Sequence, residues 1–375
     1  CCMKWMRSMV CTGIGGRPGL SIEAQGWVGA VPETAYVVAV DLPSGLDPAG
    51  VEGTAECVFA DETVTFGVAK PCHLLPATEA AAGRLTVVDI GLDFAGCTPV
   101  VERLLGADVA AAWPVPTAAS DKYSRGVVGV VAGSAAYPGA GVLCVLGALG
   151  TGPGMVRYLG PTSVAALVHG HAPEAVTATG RVQAWVLGSG VDPEDTDDED
   201  QLRWIRQALD SDLPCVVDAG ALALLGPRSA PTLITPHAGE LARLLTRLAR
   251  AGEAEVTRED VLGRPIDHAQ AAADAVGAVV LLKGATTLVV SPTAAGRAIR
   301  SQADAPPWLA TAGAGDVLAG ILGTLVAAGL DLVNAASVGA FVHGVAADRA
   351  NPGGPVRALA VARKVPGVVA AVLTA

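Results

Sequence analysis

Aromatic side chains make up only 4% of the 375 residues, and charged side chains only 16%. A core short of rings must be filled by Ala, Val and Leu, which suits close-packed α/β layers. Hydrophobic residues reach 51%, so global disorder is excluded. The sparse charge is predominantly acidic, net −11, which excludes the broad basic footprint of a nucleic-acid-binding surface. A local phosphate site remains open, because backbone amides bind anions without a positive side chain. Residues 126–156 carry no charge over 31 positions, but nine Gly with Pro138 and Pro153 interrupt them. That run reads as a strand (Val127 to Val131), a Gly-rich turn (Gly133 to Gly141) and a helix (Val142 to Leu149), not a membrane span. No basic stretch leads into an apolar one, so no signal peptide is expected. The eight Cys follow no metal or disulfide spacing, and Cys57, Cys72, Cys97, Cys144 and Cys215 stand singly. A cytoplasmic protein with no membrane and no nucleic-acid partner is expected.

Glycine (46) and proline (25) are abundant, and they divide the chain into short elements. At about 150 residues per domain, two domains are expected. Cys1, Cys2, Cys11, Met3, Met6 and Met9 crowd the first eleven residues, an atypical segment. Apolar runs at Tyr36–Val40, Val64–Phe66 and Leu85–Ile90 follow. A composition shift near 98–105, where Val100–Leu105 is a helix candidate, divides the chain into 1–100 and 101–375. Beyond it, strands are expected at 127–131, 183–187, 214–218, 231–235, 278–282 and 286–291. Helices are expected at 141–149, 200–210, 238–249, 266–276, 315–329, 333–349 and 357–373. Repeated strand–helix order predicts a mostly parallel sheet covered by helices. Asp192 to Asp200 carries seven acids in nine residues and reads as a solvated loop leading into a helix N-terminus. There is no internal repeat.

The most informative stretch is Thr311-Ala312-Gly313-Ala314-Gly315-Asp316, ahead of an apolar helix. Glycines leave the backbone N–H groups of 313–316 open at a helix start, which favours bound anions. Asp316 would repel a phosphate, but it is placed to take a proton from a hydroxyl attacking one. A plain Gly-rich cap is the structural alternative. Four other polar strand ends accompany it: Gly188-Ser189-Gly190, Val217-Asp218-Ala219, Thr235-Pro236-His237-Ala238-Gly239-Glu240 and Lys283-Gly284-Ala285-Thr286-Thr287. Ligands of open α/β sheets bind beyond the carboxyl ends of strands, so these five segments form one candidate site. A strand-end capping role for His237 and an exposed turn for Lys283 are the simpler readings.

Together with Gly133-Ser134 and Tyr137-Pro138-Gly139-Ala140, this ordered series resembles the ADP-dependent NAD(P)H-hydrate dehydratases, a branch of the ribokinase-like fold. The resemblance runs from about residue 105 to the C-terminus. It implies that Ala140, Gly190, His237 and Asp316 contact the hydrated nicotinamide nucleotide (NADHX or NADPHX). It implies that Lys283, Gly284, Ala285, Thr286, Thr287 and Gly315 bind ADP, with ATP an open alternative. Asp316 would be the base, Gly313, Ala314 and Gly315 the anion hole, and Mg²⁺ the phosphate partner. The chain departs from the pattern at Ala238, where Pro is usual. It departs again at Gly220, where a second Asp is frequent, and at Gly313-Ala314-Gly315 in place of Gly-Thr-Gly.

In the first hundred residues, Val37 to Val40 leads into Asp41-Leu42-Pro43-Ser44-Gly45. Ala60-Asp61-Glu62-Thr63-Val64-Thr65-Phe66, Lys70 and Val88-Asp89-Ile90-Gly91 follow. An Asx-type turn would account for Asp41 structurally. The series resembles the second half of a Rossmann-like NAD(P)H-hydrate epimerase domain. On that resemblance Gly13-Ile14-Gly15-Gly16-Arg17-Pro18-Gly19 is a phosphate loop, Asp41 a substrate contact and Ser44 a potassium (K⁺) ligand. About a hundred residues of that domain, with a potassium-binding Asn, have no counterpart here, and Met9 stands where it has a second potassium ligand. The epimerase half is therefore expected to be inactive as given. The other readings kept open are a vitamin or sugar kinase of the same fold and a nucleotide-binding module without turnover. The helices at 315–329 and 333–349 are either core or the interface of a homo-oligomer.

Overall fold

Five uncharged residues bounded by glycine, Val127–Val131, form a strand with every residue buried. It lies inside an eight-stranded sheet of a computed structural model that describes residues 18–53, 55–194, 199–250 and 254–375. The first eleven residues, Gly13 to Arg17 and part of the acidic run lie outside the described residues. The chain divides into two compact units, Cys1–Glu102 and Arg103–Ala375.

Unit 1 contains α1 (Ile22–Gly29), β1 (Val38–Val40), β2 (Glu62–Phe66), α2 (Glu79–Ala82) and β3 (Arg84–Val88). Its strands form a parallel sheet in the order β1-β2-β3, and each overlaps one of the three apolar runs. A small core of Leu42, Leu46, Cys57, Cys72 and Ala81 lies beside it.

Unit 2 starts with α3 (Gly106–Ala112), β4 (Val127–Val131), α4 (Pro138–Thr151), β5 (Met155–Tyr158), α5 (Thr162–His171), β6 (Ala184–Leu187) and α6 (Glu199–Leu209). Next come β7 (Cys215–Val217), β8 (Thr232–Ile234), α7 (Ala238–Leu248), α8 (Arg258–Gly263), α9 (Pro265–Val276), β9 (Val279–Leu282), β10 (Thr287–Val290) and β11 (Ile299–Gln302). The chain closes with α10 (Ala314–Ala327), α11 (Leu332–Ala350) and α12 (Ala358–Thr374). The strand order is β11-β10-β9-β8-β7-β6-β4-β5. Pairing is parallel from β5 to β9, and β10 and β11 extend the sheet as antiparallel strands. All six strands expected in this unit are present. The expected helix at Val100–Leu105 is not; the first helix here starts at Gly106. Strands β5 and β11 and helices α3, α5 and α8 lie between the expected elements.

Helices α10 and α11 are core. Twelve of the 14 residues of α10 are buried, with Val317, Ile321, Leu322 and Leu325 fully enclosed. Each such aliphatic side chain contributes about 1.5–3 kcal/mol on burial. The contact of α10 with α4 brings backbone against backbone. A Cβ at Gly320 would lie 2.0 Å from the Cys144 carbonyl oxygen, and one at Gly147 would lie 2.3 Å from that of Val317. Small residues here replace the missing aromatics: the two helices close on each other directly.

Candidate active site

The carboxyl ends of β6, β7, β8 and β9 are neighbours in the sheet, and each is followed within two residues by a polar side chain. After β6, the Ser189 hydroxyl donates to Asp218 Oδ2 at 3.0 Å. After β8, the Thr235 hydroxyl donates to Asp218 Oδ1 at 2.7 Å. After β9, Lys283 Nζ reaches the same oxygen at 2.8 Å and stands 3.6 Å from Glu240 Oε2. Asp218, just beyond β7, is 2% exposed and has both oxygens occupied. A buried carboxylate needs such partners, because an unpaired one would be strongly destabilising. Burial opposes the Lys283 charge, but Asp218 and Glu240 outweigh it and raise its pKa above the ordinary lysine value.

Asp316 lies in the first turn of α10, close enough to this group to feel the charges of Asp218 and Lys283. Its pKa is pushed up to about 6, first by burial and then by the negative charge of Asp218. Lys283 and a hydrogen bond from Ser189 act in the opposite direction. Ser189 thus touches both carboxylates. Gly313 caps α10 in the left-handed region at φ 86°, which favours glycine. Contrary to the expectation that all the amides of 313–316 are open, the Ala314 amide donates to the Thr311 carbonyl at 3.3 Å. The amides of Gly313, Gly315 and Asp316 remain as the donors of this helix start. A Cβ at Gly315 would lie 3.4 Å from Lys283 Nζ, so the helix start and the lysine face each other.

Ala140 and Gly190 meet. Gly190 has φ 66°, and a Cβ there would lie 2.4 Å from that of Ala140. His237 caps α7: its Nδ1 accepts the amides of Gly239 (3.1 Å) and Glu240 (3.2 Å), while Glu240 Oε2 accepts the His237 amide at 2.8 Å. The ring is half exposed, with Nε2 3.5 Å from Glu240 Oε1. The capping role is therefore real, and Nδ1 is occupied by it. The 283–287 segment is the β9–β10 hairpin, with Gly284 and Ala285 exposed at its tip, Thr286 buried and the Thr287 hydroxyl 3.5 Å from the Gly284 carbonyl. Gly220 has a steric cause: a Cβ there would lie 2.0 Å from the Val191 carbonyl oxygen, so no second Asp fits.

Sequence reasoning quoted Ser189, Asp218, Thr235 and Glu240 within motifs but assigned none of them a role. It missed His343 altogether. This residue of α11 is 6% exposed, and its pKa is pushed down to about 4. Burial is the main cause, and the Lys283 charge adds to it against the opposing Ala314 carbonyl. A lone His in an apolar helix gives no sequence signal; only the fold brings it to the start of α10.

In unit 1, Asp41 follows β1 with φ 70°, a left-handed conformation that Asp tolerates better than most side chains. Its Oδ1 accepts the Thr65 hydroxyl at 3.0 Å and is paired with the Lys70 ammonium, which also donates to Thr65 Oγ1 at 2.6 Å. Burial raises the Asp41 pKa, but Lys70 and Thr65 outweigh it and hold the carboxylate below its usual range. Gly19, the end of the expected phosphate loop, donates its amide to the Gly45 carbonyl at 2.8 Å, beside Ser44. Gly13 to Arg17 of that loop lie outside the described residues. Among the described residues no three His, Cys, Asp or Glu side chains group to hold a metal, and no helix is long and apolar enough to cross a membrane.

The NAD(P)H-hydrate dehydratase family model matches residues 128–361. The chain belongs to that family. A second model, the YjeF-related protein N-terminus, matches residues 12–72. The bifunctional NAD(P)H-hydrate repair enzyme Nnr of Mycobacterium leprae is 44% identical over 331 residues, covering 84% of this chain and 64% of that protein. The Mycobacterium tuberculosis (strain ATCC 25618 / H37Rv) enzyme of the same name is 44% identical over 313 residues, 80% of this chain and 60% of that protein. The chain thus spans somewhat less than two thirds of these relatives. The ADP/ATP-dependent NAD(P)H-hydrate dehydratase of Bacillus subtilis, co-crystallized with ATP/Mg²⁺, has a TM-score of 0.63 at 24% identity, covering 73% of this chain and 100% of its own. A ribokinase-like superfamily protein from Enterococcus faecalis gives 0.61 at 18% identity, over 76% of this chain and 99% of its own. Unit 2 therefore has the ribokinase-like fold of the dehydratase family.

Proposed function

We propose that this chain restores NADH and NADPH from their S-hydrates (NADHX and NADPHX), using ADP or ATP as phosphoryl donor. The observation that carries this reading is Asp316. In a chain of the dehydratase family it combines a pKa near neutrality with a place beside the open amides of Gly313 and Gly315. A base with a pKa near the working pH is well matched to proton abstraction.

In this reading Asp316 takes the proton of the ring hydroxyl, and the freed oxygen forms a bond to the terminal phosphorus of the nucleotide. With ADP, the bond from that phosphorus to AMP breaks. The C–O bond of the ring then breaks with its electron pair leaving on phosphate, a far better leaving group than hydroxide. Loss of the neighbouring ring proton completes the reduced nicotinamide. The α10 amides receive the charge that develops on the transferred group. Ala140, Gly190 and His237 hold the hydrated ring, and the Lys283–Thr287 hairpin with Gly315 holds the nucleotide. Mg²⁺ bound with the nucleotide phosphates would neutralise their charge.

Unit 1 is read as epimerase-derived, with Asp41 as a substrate contact held by Lys70 and Thr65. Met9 in place of a potassium-ligating Asp supports the expectation that it does not interconvert the R- and S-hydrates. Conversion of R-hydrate by the chain would overturn that.

The central test is incubation of the chain with hydrated NADH and ADP or ATP, following recovery of the reduced ring's near-ultraviolet absorbance. Nucleotide-dependent recovery that is lost in Asp316→Asn supports the reading. Phosphorylation of a vitamin or sugar without recovery would replace it with a kinase.

A further inference from the structure

Two adjoining hollows open beside the proposed hydrate site. One, about 250 Å³, runs from Gly139 past Leu143 to Leu359. The other, about 180 Å³, continues from Leu359 to Arg357, Arg363 and Lys364 at the start of α12. Both ends are anchored to the site. Gly139 precedes Ala140, and Ala358 lies against Gly313: a Cβ on that glycine would be 3.2 Å from the Ala358 Cβ.

The three cations are exposed, and none makes an ion pair with a described residue. Arg357 is the N-cap of α12, and Arg363 and Lys364 lie within that helix. Two helical turns separate Arg357 from the Arg363–Lys364 pair, about 9–10 Å along the axis. In a chain of net charge −11 this is a localised basic strip, and it continues an apolar cleft away from the reacting groups.

We propose that this strip binds the phosphates of the dinucleotide substrate and selects the 2′-phosphorylated form. The proposal rests on the dehydratase reading of unit 2. A dinucleotide presents two separated anionic groups: the pyrophosphate, near the reacting ring, and the 2′-phosphate, on the far ribose. Arg357, one residue from the contact with Gly313, is placed for the first. Arg363 and Lys364, two turns outward, are placed for the second. Arg also offers the planar fork that matches phosphate oxygens. Leu359 and Ala360, which line the second hollow with the three cations, lie along the atoms joining the two groups. The second nucleotide substrate belongs at the 283–287 hairpin, which meets the start of α10 at Gly315.

The test compares kcat/KM for the S-hydrates of NADPH and NADH in the wild-type chain and in R363Q/K364Q. The expected result is a preference for the phosphorylated hydrate that falls on the order of tenfold in the variant. The loss should lie in KM, and the wild-type preference should shrink with added salt. R206Q on α6 removes a charge elsewhere and serves as control. An unchanged preference in R363Q/K364Q, or a loss in the KM for ADP instead, overturns the proposal. If the wild-type chain turns over neither hydrate, the dehydratase reading fails. Calorimetric titration with NADP⁺ and NAD⁺ then decides the strip alone. Weaker NADP⁺ binding in the variant supports it, and equal binding overturns it.

Discussion

Lys283 and Asp218 form an ion pair 2.8 Å apart, with the carboxylate 2% exposed and one side of the ammonium still facing the start of α10. Neither charge is replaceable alone. Lys283→Met leaves a buried carboxylate with only two hydroxyl donors. A loss of about 3 kcal/mol in unfolding free energy is expected by urea titration. The same change removes a group that lowers the Asp316 pKa, so the acid limb of any pH–rate profile should move upward.

Asp316 and His343 titrate with opposite effects on stability. Asp316 has a folded pKa of about 6 against 3.8, so the folded state binds the extra proton and stability falls as pH rises through 4 to 6. His343 has a folded pKa of about 4 against 6.5, so the unfolded state binds the extra proton and stability is lost as pH falls through that range. The two slopes largely cancel in the wild-type chain. Asp316→Asn should be more stable than wild type at pH 7.5 by on the order of 2–3 kcal/mol, and should lose stability faster on acidification. His343→Gln should show the reverse slope. Urea midpoints between pH 4 and 7.5 measure both, and parallel curves would contradict the argument.

The two roles of His237 separate by substitution. His237→Ala removes the acceptor for two amides and should cost about 1 kcal/mol of stability. His237→Asp keeps a cap and should recover most of that in thermal unfolding. If Nε2 also holds the hydrated ring, turnover stays low in both variants. Recovery of turnover with Asp would assign the residue to capping alone.

Gly190→Ala forces a methyl to within 2.4 Å of the Ala140 side chain from a left-handed backbone. A loss of about 1–3 kcal/mol is expected. KM for the hydrate should rise more than KM for the nucleotide, because the clash falls where the ring is held.

The sheet interior was legible in the sequence because its strands are unbroken apolar runs stopped by glycine or a polar residue. Strands β5 and β11 were not, and they are the two edges of the sheet. Edge strands need no apolar run, and Arg157, Arg300, Ser301 and Gln302 interrupt the pattern. Motifs located Lys283, His237 and Asp316. They did not show that Ser189 and Thr235 converge on Asp218, because hydrogen bonds between strand ends depend on sheet order. The engagement of the Ala314 amide with Thr311 is likewise a property of the turn. His343 became visible only when α11 was laid beside α10.

The backbone contact between α4 and α10 has one more consequence. Ala140 stands on the first helix and Asp316 on the second, one at each side of the bound ring in the proposed reading. Helices separated by side chains can slide as those side chains change rotamer. Here Gly147 and Gly320 leave no such compliant layer. The spacing between ring contact and base is thus set by main-chain dimensions, a fixed gauge insensitive to substitutions elsewhere in the core.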